Sequence, residues 1–266
     1  MKLLEDYINH LELNQVLSFN SLRLYKTDIK DFNEFIVASY GFDFDLLSLI
    51  EKQLNKFMNT IYSLGKSTAT INRKLTAIHG FWNWLREEGL VERDPFTQIK
   101  RNSQFRNKTA KVLSEEDIVL LLDCDGLDLK SKIILELIYA TGIRVSEIVK
   151  LTLEDIDLNN NILTIVRSQK YKERTIPFND LLAQYLKFHV QENNLSNEDA
   201  IFKNRNNESV SEREIFRLIR EASQRAGINK KVSPSIIRNS FLKHMKENGA
   251  HETLLRDLTG QKTVNV

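Results

Sequence analysis

Cysteine is nearly absent. Only Cys124 occurs in 266 residues, inside the apolar run IVLLLDCDGL. One thiol excludes a disulfide framework or a cysteine-built metal site within the chain, and a small core residue is its expected role. Three prolines and nine glycines are few for this length, so long helices are expected to dominate. No apolar run approaches the ~20 residues that cross a bilayer. The N-terminal stretch MKLLEDYINHLELNQ meets acids too early for a secretory leader, and a cytoplasmic chain is expected. Excess charge of one sign is also missing, since the net charge is only +2. Hydrophobic content of 41% and charge of 28% describe a globular protein large enough for one large domain or two ordinary ones.

What is present is periodicity. Residues 1–96 contain four segments with helical spacing. KLLEDYINHLEL places Leu3, Leu4, Tyr7, Ile8 and Leu11 on one face. SFNSLRLYKTDIKDFNEFIVASYG starts at a capping residue and stops at glycine, and LLSLIEKQLNKFMNTIYSLG stops at Gly65. STATINRKLTAIHGFWNWLREEGLV turns Leu75, Ile78, Phe81, Trp82 and Leu85 inward, and RDPF breaks the pattern. Residues 97–111, TQIKRNSQFRNKTAK, hold Lys100, Arg101, Arg106, Lys108 and Lys111 without an acid. This reads as a basic linker, either solvated or facing nucleic acid. A second domain, 112–266, opens at LSEEDIVLLL, where Ser114 and Asp117 form a capping pattern. The helix LKSKIILELIYATG follows, then VSEIVKLT. The alternating runs NILTIVRS and ERTIPF flank QKYK and read as a β-hairpin. Four more helical segments complete the chain. The expected class is mainly α with one small antiparallel sheet.

The turn ATGIRVSEIVKL raises a chemical question. Gly142 suits the left-handed end of a helix. Arg144 then stands at the first turn of the next one, where N–H groups and the positive dipole end favour an anion. A guanidinium there can grip two phosphate oxygens. The alternative is an arginine paired to Glu147 or Asp155.

The combination of motifs goes further. ATGIRVSEIVKLTLEDIDL resembles the first signature box of the tyrosine recombinases, the phage-integrase and Xer-type family. KERTIPF after a lysine-containing turn, VSPSIIRNSFLKHMKENGA, and LLRDLTGQ resemble its later segments, in order. The resemblance covers essentially the whole chain. It implies a SAM-like four-helix core-binding domain and a catalytic-type domain that together clamp double-stranded DNA. It also implies a site that needs no metal or cofactor. Two arginines hold the scissile phosphate, a hairpin lysine and histidines move protons, and a tyrosine attacks phosphorus.

By that resemblance Arg144 and Arg238 are the two arginines, and Glu147 is the acid that follows the first. Lys170 is the expected hairpin lysine, with Lys172 the fallback, because Gln169 falls at the usual position. Ser235 and Gln261 stand where the family has imidazoles, and a hydroxyl or amide cannot titrate near neutral pH. His244 and His251 lie outside the motif positions, and His244 is expected at the surface or partly packed. No tyrosine follows Tyr185 in these residues, and Tyr139, Tyr171 and Tyr185 do not match the motif. Two explanations stand: a chain cut before its tyrosine, or a protein that kept the DNA clamp without cleavage. The second is the expectation, as a regulator or accessory factor of a mobile element, monomeric in solution and assembling on DNA. Its expected DNA-facing groups are Lys66, Thr68, Asn72, Arg73 and Lys74 at the start of the fourth helix. Lys100 and Arg101 in the linker, Arg213, and the site cations Arg144, Lys170, Lys172 and Arg238 complete the set. A protein-interaction module without DNA binding is the remaining competitor.

Overall fold

The computed structural model describes residues 2–14, 17, 19–97, 99, 110–166, 173–261 and 263–264. It divides into two compact units, Met1–Lys108 and Thr109–Val266, each with its own core.

The first unit is built from α1 (Lys2–Leu13), α2 (Phe19–Tyr40), α3 (Glu51–Ser63) and α4 (Thr68–Glu87). α4 is its centre. Ser67 caps it by accepting from the Thr70 N–H at 3.2 Å, and Leu75, Ile78, Phe81, Trp82 and Leu85 are all buried. Each such side chain, taken from water, contributes roughly 1.5–3 kcal/mol before conformational entropy is charged. The third helix begins later than its apolar pattern suggests. Asp45 caps a short 3-10 turn at Leu46–Ser48, and the α-helix starts only at Glu51.

The second unit contains α5 (Glu115–Leu122), α6 (Leu129–Thr141) and α7 (Val145–Ile148). A three-stranded antiparallel sheet follows, β1 (Ile156–Asp157), β2 (Ile162–Ile165) and β3 (Arg174–Pro177), in the order β1-β2-β3. Then come α8 (Asp180–Glu192), α9 (Glu212–Arg225), α10 (Pro234–Glu247) and α11 (Glu252–Thr259). β2 and β3 pair with Leu163 opposite Ile176, both buried, as the alternation predicts; β1 is an addition to the expected hairpin. The Ser114–Asp117 capping box is present. α6 is buried nearly all round and packs against α8, α9 and α10. Its isoleucines and leucines form the middle of the core.

α10 fixes the start of this unit. Ser240 Oγ accepts from the Leu113 N–H at 2.8 Å, and His244 Nε2 bonds the Leu113 carbonyl at 3.1 Å. Tyr139 Oη meets His244 Nδ1 at 3.0 Å. His244 is therefore a buried structural residue, contrary to its expected surface or partly packed position. The polar ring is accommodated inside because both of its nitrogens find partners there. Among the described residues, no helix is long and apolar enough to cross a membrane.

Candidate phosphate-binding site

The site begins at the end of α6. Gly142 adopts φ +60°, and a Cβ there would stand 2.8 Å from Phe241 Cδ1. Only glycine satisfies both the turn and the close approach of α10. The chain then enters α7, a single turn rather than the longer helix its sequence suggests. The opening of α7 is closed by its own acid, since the Arg144 N–H donates to Glu147 Oε2 at 2.9 Å. The expected anion pocket of helix N–H groups is thus filled by Glu147. An incoming anion would meet the guanidinium groups instead.

Three arginines converge on the end of α11. Arg144 Nη1 donates to the Thr259 carbonyl at 2.9 Å, and Arg238 Nη2 donates to the same oxygen at 3.0 Å. Arg238 Nη1 also donates to the Gly142 carbonyl. Arg174 Nε donates to the Leu258 carbonyl at 2.8 Å, while its two Nη groups hold both Glu147 oxygens at 3.0 and 2.7 Å. Arg144 Nη1 reaches Glu147 Oε1 at 3.1 Å. The two arginines of the sequence motifs, 94 positions apart, therefore meet at one carbonyl oxygen. Of the two carboxylates offered as partners for Arg144, the structure pairs it with Glu147, while Asp155 accepts from the Thr152 N–H.

The electrostatics favour a bound anion. Two guanidinium groups, Arg144 and Arg174, hold the half-buried Glu147 carboxylate, and a third, Arg238, stands close by on the Thr259 carbonyl. Burial, and next the charge of Arg144, lower the Arg238 pKa to about 9. Burial lowers Arg144 as well. Burial alone would raise Glu147, but its bonds from Arg174 and Arg144 outweigh that and hold it below the usual carboxylate range. A negative group placed here would relieve the repulsion among the arginines. Arg238 is only 6% exposed, whereas the Arg144 side chain keeps 32%. Among the described residues, Nε and Nη2 of Arg144 have no hydrogen-bond partner. They can turn to an anion without breaking the scaffold.

Arg144, Arg238, Ser146, Ser235, Asn239 and Gln261 line a common cleft of about 340 Å³, together with the exposed Glu212 and Phe216. Ser235 and Gln261 thus accompany the arginines, as their sequence positions suggest. His251 is elsewhere, capping α11 through the Thr253 N–H. Tyr185 is half-buried against the core. Lys170 and Lys172, with Gln169 and Tyr171, lie outside the described residues, as do Lys100 and Arg101.

The remaining sequence-predicted contacts divide. Lys66 and Arg213 are exposed. Thr68 is buried in the first turn of α4, and Asn72 is half-buried. Lys74 departs from the expectation of a groove-facing cation. It is 6% exposed and bonded to Asp28 Oδ1 at 2.9 Å and Asp31 Oδ2 at 2.5 Å. Arg73 shares Asp28 with it and is partly exposed. Burial of the α2–α4 seam, rather than solvent, receives that side of α4. Arg174 had no local signal as a site residue. Its partner Glu147 is 27 positions away, and only the packing of β3 beside α7 and α11 joins them.

The two units match two family models. Residues 111–266 match the phage integrase family, and residues 4–89 match its N-terminal SAM-like domain. Tyrosine recombinase XerD of Oceanobacillus iheyensis is 30% identical, covering 98% of this chain and 90% of that protein. Tyrosine recombinase XerC of Thermodesulfovibrio yellowstonii is 27% identical, covering 98% and 88%. Among solved structures, a lambda integrase dimer bound to a COC′ core site aligns with a TM-score of 0.79 at 14% identity, covering 98% of this chain and 91% of that one. With its two-unit helical fold and clustered arginines, the chain belongs to the phage integrase family of tyrosine recombinases.

Proposed function

We propose that this chain binds specific double-stranded DNA and holds a backbone phosphate between Arg144 and Arg238 without cutting the strand. It acts in the cytoplasm as a DNA-binding regulator or accessory factor of a mobile element, with copies assembling on the duplex. The observation that carries this reading is the composition of the arginine cleft. Its two guanidinium groups meet at the Thr259 carbonyl, while its other polar lining among the described residues includes Ser235 and Gln261 and no imidazole. Phosphate binding needs only the cations. Strand cleavage also needs a group that gives up and takes back a proton near neutral pH. The Ser235 hydroxyl and the Gln261 amide donate hydrogen bonds but do not fill that role, which leaves it to the hairpin lysine, Lys170 or Lys172, outside the described residues. Lambda integrase, bound to a core site, shares the fold, which supports a duplex as the ligand.

The second reading is an active strand-cleaving recombinase. It is favoured by the relatives, which are named tyrosine recombinases and match across nearly their full length. A nicked suicide duplex separates the two. The expected result is a retarded complex on a native gel and no protein–DNA adduct on a denaturing gel. A covalent adduct would establish the second reading. Arg144→Glu is expected to abolish the native complex, because it puts a carboxylate where the phosphate would sit; unchanged affinity would remove the clamp from both readings.

A further inference from the structure

α9 buries Ile215, Ile219 and Ala222. Its outer face presents Arg213, Phe216, Arg217 and Arg220, at i, i+3, i+4 and i+7, all exposed. Phe216 is the odd member. It is 46% exposed and belongs to neither core cluster. Its ring lines the arginine cleft described above. It also lines a second, larger groove between α9 and residues 228–233, to which Arg213, Arg217, Arg220 and Lys231 contribute. A phenyl ring thus stands between two hollows in which cations outnumber acids, with Glu212 lining the first and Glu214 the second. Arg217 is partly engaged by Glu221 at 3.2 Å, whereas Arg213 and Arg220 have no ion-pair partner among the described residues.

A helix of this width fits the DNA major groove, and arginines along its flanks reach phosphates or guanine edges. The ring can do neither. The one apolar group that a base pair exposes in that groove is the thymine C5-methyl. Stacking on a base would require the duplex to be unstacked, which costs a few kcal/mol per step. An apolar protein partner fits poorly among so many arginines. We infer that Phe216 is a specificity-determining residue that contacts a thymine methyl group in the major groove of the bound duplex. The inference rests on the duplex-binding reading given above and adds to it a base-reading contact.

The test separates the two. A preferred duplex is selected from a random pool with the wild-type protein, and each thymine is replaced singly by deoxyuridine, which removes only the methyl. One replacement is expected to weaken wild-type binding about fourfold, the effect of one buried methyl. Phe216→Ala is expected to bind the original duplex at least that much more weakly and to be indifferent to the same replacement. Phe216→Leu keeps part of the discrimination. Thermal melting of both variants should match wild type, because the ring is outside the core. If no replacement affects the wild type, or if the wild type and Phe216→Ala feel it equally, the Phe216 contact is overturned while duplex binding stands. A larger loss for Phe216→Ala on the single strand than on the duplex would mean that the ring stacks, which also overturns the methyl contact. Failure of the wild type to bind any duplex would overturn the duplex reading and this inference together.

Discussion

Lys74 and Arg144 carry the same charge in opposite circumstances. Burial alone would lower the Lys74 pKa, but the bonds to Asp31 and Asp28 outweigh it and the net shift is upward. Its contribution to stability is therefore complete at neutral pH. It is lost only as the pH rises above the unfolded value near 10.5 and through the higher folded value. Lys74→Gln leaves Asp28 buried with Arg73 as its remaining cation, and a loss of about 3 kcal/mol is expected in urea unfolding. The salt dependence of duplex binding should not change, because no phosphate contact is removed; a shallower salt slope would return Lys74 to the groove. Arg144, by contrast, keeps part of its guanidinium free. Both residues are polar positions near a helix start in the sequence. Which of them is buried depends on an aspartate 46 positions before Lys74, and no local pattern carries that information.

Among elements, α11 has the least expected role. It is eight residues long, yet its last two carbonyls receive Arg144, Arg174 and Arg238. The negative end of a helix dipole suits this gathering of cations. Gly260 ends the helix at φ +58°, and that turn sets where the carbonyls point. Gly260→Val should strain the left-handed position by about 1–2 kcal/mol and weaken duplex binding by roughly tenfold through the displaced arginines. Gly260→Asn, which tolerates that conformation, should retain most of the affinity. Equal losses for both substitutions would place the effect elsewhere. The four helices of the first unit, the Ser114 cap and the β2–β3 hairpin were legible because period and capping are local. β1 spans two residues, too short for an alternation to show. α7 ends after one turn, where the Lys150 and Leu151 N–H groups bond the Glu147 and Ile148 carbonyls in the tighter i to i+3 pattern.

For the whole molecule, a net charge of +2 understates the capacity for a polyanion. Many cations are already matched by acids within the fold, as at Lys74, Arg174 and Arg217. The exposed unpaired ones are what a duplex would meet. Duplex affinity is expected to fall steeply with salt, with each neutralised phosphate contributing about −0.9 to the slope of log K against log salt. Arg213→Ala should make that slope shallower by about one contact. Titration of binding from low to physiological salt measures both, and a flat response would exclude a phosphate-dominated complex.

By itself the sequence determined the helical character, the small antiparallel sheet and the family, and it singled out the basic linker and the two motif arginines, because these depend on spacing along the chain and on residue type. Tertiary structure decided which charges remain available. It joined Arg144 and Arg238 at one carbonyl oxygen, assigned Arg174 to Glu147, withdrew Lys74 into an ion cluster and left Phe216 uncovered. Those outcomes follow from packing between segments far apart in the chain, where burial changes the energy of a charge far more than any neighbour in sequence does.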